Sequence, residues 1–210
     1  MDWTVAEKYL SRTDPMLRRI IKAAGPCALK PERSRQPWQA LVRAVAHQQL
    51  NGKAAESIFA RFLALYPDCK HPTPEQIAAT PAKQLRSVGF SNAKVLAIHD
   101  IADKAAAGLV PTRRQCARMT DEEIIAALIP LRGVGRWTVE MLLMFTLGRP
   151  DVLPVDDFGV REGFRLAHGH KAQLKPKELA ELGQAWAPHR TVAAWYWWRA
   201  ADLYRVKKGT

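Results

Sequence analysis

Several features are scarce in this sequence, and each absence excludes a class of protein. Cys27, Cys69 and Cys116 are the only cysteines among 210 residues. Their odd number and wide spacing argue against a disulfide framework and against a metal site built from cysteine alone. No pair of histidines has the spacing of a zinc motif such as HExxH, so we expect no catalytic metal.

Long apolar segments are also missing. No apolar run approaches the roughly 20 residues that a membrane-spanning helix requires. The first residues, MDWTVAEKYLSR, lack the basic start and the continuous apolar core of a secretory signal. We therefore expect an intracellular protein with no membrane attachment.

Acidic residues are few relative to basic ones. The chain has 32 lysines and arginines against 20 aspartates and glutamates, a net charge of +12. A field of this size attracts polyanions, such as nucleic acid or an acidic membrane surface. A high charge can also serve solubility alone, so charge does not decide the function.

The hydrophobic pattern predicts an all-α fold. No stretch alternates β-branched and polar residues with the period of a strand, whereas many segments carry apolar residues at helical spacing. We expect the fold to have two lobes, one of roughly residues 40–115 and the other of roughly 1–35 plus 116–210, within a single domain. The predicted helices are 36–48, 53–66, 91–107, 121–129, 138–147, 158–168, 176–186 and about 188–205.

Residues 131–138, LRGVGRWT, lie between two predicted helices. Gly133 and Gly135 allow a tight turn with positive φ, which leaves backbone N–H groups uncovered beside the start of the second helix. Such a turn can bind a phosphate without reading base identity, although a plain helix–turn–helix corner would have a similar pattern. The candidate DNA-binding hairpin consists of Arg132, Gly133, Val134, Gly135, Arg136 and Thr138.

Two adjacent acids, Asp156 and Asp157, precede the predicted helix 158–168. Aspartate is a favoured N-cap, and acids in a first turn complement the helix dipole. We expect one of the two carboxylates to cap the helix and the other to act in catalysis.

Four motifs occur in order along the chain: AVAHQQLNGKAA at 44–55, LRGVGRWT at 131–138, LPVDDFGVREGF at 153–164 and WAPHRTVAAWYWW at 186–198. Together they resemble the helix–hairpin–helix superfamily of DNA glycosylases, and in particular its alkylpurine branch, the 3-methyladenine DNA glycosylase II family. The resemblance implies a two-lobed helical bundle that acts on double-stranded DNA containing alkylated bases. It also implies a compartment that holds DNA, either the cytoplasm with its nucleoid or the nucleus. We expect the protein to act as a monomer.

The resemblance implies that Asp157 is the catalytic residue and Asp156 a supporting one. More distant relatives carry a single acid directly after the valine, a spacing that would favour Asp156. Alkylation makes a purine cationic and therefore a good leaving group. A fixed carboxylate can then stabilise the positive charge that develops on the sugar and orient the attacking water.

The target nucleotide must leave the duplex to reach that carboxylate, so a base pocket and a wedge are needed. The resemblance implies that Trp137 and Trp198 line the pocket, with Met141 at a position often aromatic in relatives. The other aromatic residues of 195–198 are expected to pack in the core. The stretch Gln48–Asn51 is expected to supply the wedge, through either Gln49 or Leu50.

Residues 85–94 form a second hairpin-like stretch, which we expect to be a structural corner with Lys94 as a candidate phosphate contact. No cofactor is expected, but the resemblance allows a monovalent cation on the carbonyls of residues 132–137.

A bifunctional glycosylase/lyase would carry a lysine where this chain has Trp137. A non-catalytic DNA-binding module would need neither Asp157 nor an aromatic pocket.

Overall fold

The computed structural model describes residues 2–50, 52–69 and 71–206, and in these ranges it contains thirteen α-helices and no β-strand. The all-α expectation is confirmed. The helices are α1 (Thr4–Thr13), α2 (Pro15–Ala24), α3 (Pro37–His47), α4 (Gly52–Leu63), α5 (Pro74–Ala79), α6 (Ala82–Ser87), α7 (Asn92–Ala106), α8 (Arg113–Cys116), α9 (Asp121–Leu128), α10 (Arg136–Leu142), α11 (Phe158–His168), α12 (Pro176–Leu182) and α13 (Arg190–Val206).

The chain forms two compact units. The central unit runs from Arg33 to Leu142, and the terminal unit combines the chain up to Glu32 with the chain from Leu143 onward. This division corrects the expected lobes, because residues 116–142 belong to the central unit. The reason is packing: α10 lies against α3 and α9, and the Arg132 N–H donates a hydrogen bond of 2.8 Å to Asp100 of α7.

The terminal unit is built around α13, which packs against α11 and α2. Tyr196 and Trp197 of α13 are fully buried, as are Leu10 and Leu17 of α1 and α2. The approach of α11 to α13 is close, since a Cβ atom at Gly163 would lie only 1.8 Å from the carbonyl oxygen of Trp197. Only glycine fits at this crossing.

The central unit is built around α7, which packs against α3 and α5. Its core consists of fully buried apolar side chains from these and neighbouring helices. Three of its helices begin with reciprocal capping boxes at Thr73, Thr112 and Thr120, each of which satisfies N–H groups of the first turn. The largest fully buried core side chains of this unit include Leu41, Phe62, Ile77, Leu85, Ile98, Ile101 and Ile124.

The expected continuous helix 138–147 is divided in the structure. An α-helix ends at Leu142, and Leu143–Leu147 form a π-helical turn. The helices α1, α2, α5, α6 and α8 were not predicted, and α5, α6 and α8 span only four to six residues. Such helices complete fewer than two turns, so they show too little periodicity to be recognised.

In the part of the chain that the structure describes, no helix combines the length and the hydropathy needed to cross a membrane.

Candidate functional site

The hairpin of residues 129–135 connects α9 to α10 in the central unit. Buried Leu131 and Val134 anchor it from below, and the Val134 N–H donates to the Leu131 carbonyl at 3.1 Å. Gly133 has φ of +74°, whereas Gly135 does not adopt positive φ, which corrects the expectation for that residue. The turn therefore requires glycine only at position 133.

The hairpin is fastened to α7 beneath it. A Cβ atom at Gly133 would lie 3.1 Å from the Ala97 Cβ, so the turn lies directly on this helix. Asp100 accepts the Arg132 N–H and forms an ion pair with Lys104 at 2.9 Å. Although partial burial of the carboxyl opposes ionisation, these two contacts hold the pKa of Asp100 below its usual value.

The exposed side of the hairpin presents backbone donors. Among the described residues, the N–H groups of Gly133, Gly135 and Arg136 donate to no acceptor. All three residues are exposed, and the last begins a helix. This set of N–H groups has the arrangement that binds a phosphate at a helix start.

The basic and hydroxyl side chains predicted to support the hairpin do not all face outward. Arg136 forms ion pairs with Glu122 and Glu140, so carboxylates of its own unit already compensate its charge. Thr138 is only 5% exposed, so its side chain packs inside the unit. The side chain of Arg132, by contrast, is exposed and forms no ion pair with any described residue. Of the three side chains, only Arg132 is exposed and without an ion pair to a described residue.

The expected wedge region follows the end of α3. Gln49 and Leu50 are both exposed, and Gln49 has φ of +55°, in the left-handed region. Asn51 lies outside the described residues. The Gln48 side-chain amide donates to the Gly133 carbonyl at 3.0 Å, so the structure brings this turn and the hairpin together. Sequence reasoning had no signal for that contact, because the two residues are 85 positions apart.

Lys94 does not point to solvent as a phosphate contact would. Its Nζ donates to the carbonyls of Ala46 and Gln48, both at 2.8 Å, at the C-terminal end of α3. Partial burial lowers the pKa of Lys94. Gly89, in the same hairpin-like stretch, packs against Ile58 and Arg61 of α4, as expected of a structural corner.

In the terminal unit, Asp157 is the N-cap of α11. Its Oδ1 accepts the Val160 N–H at 2.8 Å and the Trp198 indole N–H at 2.8 Å, and the residue is only 9% exposed. Asp156 is exposed, and its side chain makes no hydrogen bond to any described residue. The expected division of roles is therefore corrected, since the acid proposed for catalysis also caps the helix.

Two residues that sequence reasoning missed hold Trp198 in place. A Cβ atom at Gly159 would lie 2.8 Å from Trp198 Cδ1 and 3.1 Å from Asp157 Oδ1, so glycine is needed for the indole to reach the carboxylate. Phe145 stacks on Trp198 with ring centroids 5.7 Å apart and planes 28° apart. For Gly159 the sequence does carry a signal. It lies four residues before Gly163, so both glycines occupy one face of α11 and indicate a close approach there.

The other aromatic residues of 195–198 are structural, as expected. Tyr196 and Trp197 are fully buried. Trp195 is half-buried, and the Arg199 guanidinium lies 5.4 Å from its ring centroid.

Trp137 and Met141 lie four residues apart on α10 and so share one face of it. Trp137 is 44% exposed, which is unusual for the largest apolar side chain. Met141 is half-buried beside it. This face of the central unit offers an aromatic and a polarisable surface.

Side-chain ligands and backbone carbonyls are the two kinds of group that could hold a metal ion. No cluster of three or more histidine, cysteine, aspartate or glutamate residues within the described ranges could hold one. At the hairpin, the Gly133 carbonyl accepts the Gln48 amide and the Gly135 carbonyl accepts the Val139 N–H. Among the described residues nothing donates to the carbonyls of Arg132 and Val134, which are hard oxygen ligands.

Comparison with known proteins places this geometry in a family. Residues 42–189 match the HhH-GPD superfamily of base excision DNA repair proteins. DNA-3-methyladenine glycosylase 1 of Schizosaccharomyces pombe is 40% identical over 203 residues, which cover 95% of this chain and 88% of that protein. The structure of the Schizosaccharomyces pombe 3-methyladenine DNA glycosylase (Mag1) in complex with abasic DNA superposes with a TM-score of 0.86 at 38% identity, over 94% of this chain and 96% of that one. A DNA-3-methyladenine glycosidase from Bacillus halodurans matches with a TM-score of 0.84 at 32% identity, over 95% of this chain and 89% of that one. The chain belongs to the HhH-GPD superfamily of base excision DNA repair proteins, in its 3-methyladenine DNA glycosylase branch.

Proposed function

We propose that the protein is a monofunctional DNA-3-methyladenine glycosylase. It flips alkylated purines of the 3-methyladenine and 7-methylguanine type out of double-stranded DNA, hydrolyses the N-glycosidic bond and leaves an abasic site. The observation that carries this proposal is the Asp157 carboxylate, buried yet held by two N–H donors at 2.8 Å. Capping α11 needs only the Val160 N–H, whereas the second donor, the Trp198 indole, comes from another helix and fixes the carboxylate further.

Asp157 acts on the sugar side of the reaction. As the C1′–N bond breaks, positive charge develops on the sugar, and a negative group fixed in advance stabilises it without reorganising. The same carboxylate can orient and deprotonate the water that attacks C1′. The α11 N-terminus and the Trp198 indole fix the carboxylate before the substrate arrives.

Aromatic and polarisable side chains act on the base. An alkylated purine is cationic, and electron-rich indole faces attract cations, each contact being worth roughly 1–2 kcal/mol. Trp198 and Trp137 are proposed to contact the base, with Met141 as a further lining residue four positions after Trp137 on α10. Asp156, which is exposed beside Asp157, is proposed as a supporting residue of the site.

The hairpin and the wedge turn act on the DNA backbone and on the duplex. The N–H groups of Gly133, Gly135 and Arg136 bind a phosphate, with the Arg132 side chain adding charge. Gln49 and Leu50, both exposed, fill the space that the flipped base leaves. Residues Arg132 and Val134 would hold a monovalent cation through their carbonyls, where it would supply positive charge to the bound phosphate. We propose that the protein acts inside the cell, in the cytoplasm with its nucleoid or in the nucleus.

The proposed function predicts base release without strand cleavage. A lyase needs an amine that attacks C1′ and forms a Schiff base. This chain has Trp137 directly after the hairpin, and an indole cannot form an imine. Single-lesion duplexes should therefore release free base and accumulate intact abasic sites, measured before and after alkali treatment.

Borohydride supplies the control for that experiment. Robust trapping of a covalent protein–DNA band, or nicked product before alkali, would contradict the monofunctional assignment. Binding to duplex with no release from any alkylated purine would favour the alternative, a non-catalytic DNA-binding module.

Trp198→Phe tests the positioning of Asp157. Phenylalanine keeps an aromatic face beside Phe145 but cannot donate to Asp157 Oδ1, which loses one of its two 2.8 Å hydrogen bonds. We expect the single-turnover rate of base release to fall about tenfold, as loss of one hydrogen bond to a charged group warrants. Affinity for undamaged duplex should not change.

Trp195→Phe, on the same helix, is the matched control and should keep the wild-type rate. Equal rates for the two variants would show that the indole N–H does not position the carboxylate.

A further inference from the structure

One face of α7 contacts both DNA-binding elements of the central unit. Lys94, Ala97, Asp100 and Lys104 follow at intervals of three or four residues, which places them in a row along the helix. We call this row the α7 stripe. It begins under the wedge turn of residues 48–50 and ends under the hairpin.

Three members of the stripe hold the hairpin. Ala97 packs under Gly133, and Asp100 accepts the Arg132 N–H at 2.8 Å. Lys104 donates to the Pro130 carbonyl at 3.1 Å and pairs with Asp100. The first half of the hairpin is therefore held at three positions, Pro130, Arg132 and Gly133.

The fourth member, Lys94, holds the wedge turn. Its ammonium donates to the Ala46 and Gln48 carbonyls at the end of α3, both at 2.8 Å. The C-terminal carbonyls of a helix lack partners within the helix and carry partial negative charge, so a cation is favourable there. The Gln48 amide then reaches the Gly133 carbonyl at 3.0 Å, which closes a connection from α7 through the turn to the hairpin.

The turn needs such support because its next residue is in an unfavourable conformation. Gln49 has φ of +55°, a region that side chains other than glycine and asparagine rarely adopt. Backbone in this state persists only when surrounding contacts determine it. The bonds to Gln48 on its N-terminal side are contacts of that kind.

We infer that Lys94 and Gln48 are positioning residues that hold the wedge at a fixed place relative to the phosphate-binding hairpin. A wedge on a flexible turn would be displaced when its side chain enters the base stack. A wedge on a turn that is hydrogen-bonded to the hairpin keeps its position relative to the bound phosphate, so it can displace the target base. This inference rests on the proposed base-flipping activity and assigns to Lys94 a task other than contacting phosphate.

Lys94→Met removes the donors while keeping an unbranched side chain only one atom shorter. We expect the single-turnover rate of base release to fall about tenfold on a fully paired 7-methylguanine duplex. The same lesion opposite an abasic site unstacks with little help, so there the loss should be less than about threefold. Affinity for undamaged duplex should stay within about twofold, because the hairpin is intact.

Three further variants make the result specific. Lys94→Arg keeps a cation with several donors and should restore most of the rate. Gln48→Leu, which loses the bond to Gly133, should show the same dependence on pairing as Lys94→Met. Lys83→Met, which removes one exposed lysine of α6, controls for net charge and should behave as wild type.

A second readout separates this inference from the proposed function. The fluorescence of 2-aminopurine placed beside the lesion reports unstacking without chemistry. Wild type should raise it on binding, and Lys94→Met should raise it less. Equal losses of rate on the paired and unpaired lesions, or wild-type fluorescence in the variant, would overturn the inference. A wild-type protein that raises the fluorescence yet releases no base would contradict the glycosylase assignment alone.

Discussion

Replacing Asp157 by asparagine should lower the single-turnover rate of base release by about a thousandfold or more, while the protein still folds and binds DNA. The substitution removes the negative charge that stabilises the developing sugar cation and the base that activates water. Asparagine is an equally good N-cap, and its amide oxygen can still accept the N–H groups of Val160 and Trp198. The loss should therefore appear in the rate and not in the melting temperature.

Asp156→Asn is the matched control, since it removes the same charge one residue earlier at an exposed position. It should keep a rate within about threefold of wild type, because an exposed charge is screened by solvent. A dead Asp156→Asn variant beside an active Asp157→Asn variant would reverse the assignment. Single-turnover measurements on one lesion, with thermal unfolding of each variant, decide between the two.

Replacing Gly163 by alanine should destabilise the protein by about 3 kcal/mol and lower its melting temperature by roughly 6–12 °C. The new Cβ would lie 1.8 Å from the Trp197 carbonyl oxygen and 3.2 Å from the Ala201 nitrogen. These are backbone atoms of α13, so the clash can be relieved only by moving one helix away from the other. The expected shift also separates Asp157 from Trp198, so activity should fall even at temperatures well below the transition.

Gly52→Ala shows the effect of the same change where space is available. Gly52 begins α4, and a Cβ atom there would meet nothing within 4 Å. We expect its stability to equal or exceed that of wild type by about 0.5 kcal/mol, since alanine reduces the entropy of the unfolded chain. If Gly163→Ala were as stable as Gly52→Ala, the close approach of α11 and α13 would not be a feature of the folded protein.

The sequence by itself determined the helical class, most of the longer helices and the order of the four motifs. Periodicity works for these because a long amphipathic helix repeats its signal over several turns. The predicted helix 158–168 has the observed bounds, which already places Asp157 at an N-cap position. The short helices α5 and α8 were not predicted from periodicity, although the sequences T-P-E-Q at 73–76 and T-R-R-Q at 112–115 carry the capping-box pattern that starts them.

Only the tertiary structure decided which side chains act together. The bond between Trp198 and Asp157 joins residues 41 positions apart, and that between Gln48 and Gly133 joins residues 85 apart. Arg136 looks like a DNA contact in the sequence, but folding places Glu122 beside its guanidinium. Lys94 looks like a surface cation, but folding places it over the end of α3. In each case a charged or polar side chain takes its role from the partner that packing brings within hydrogen-bond reach, and linear spacing carries no information about that partner.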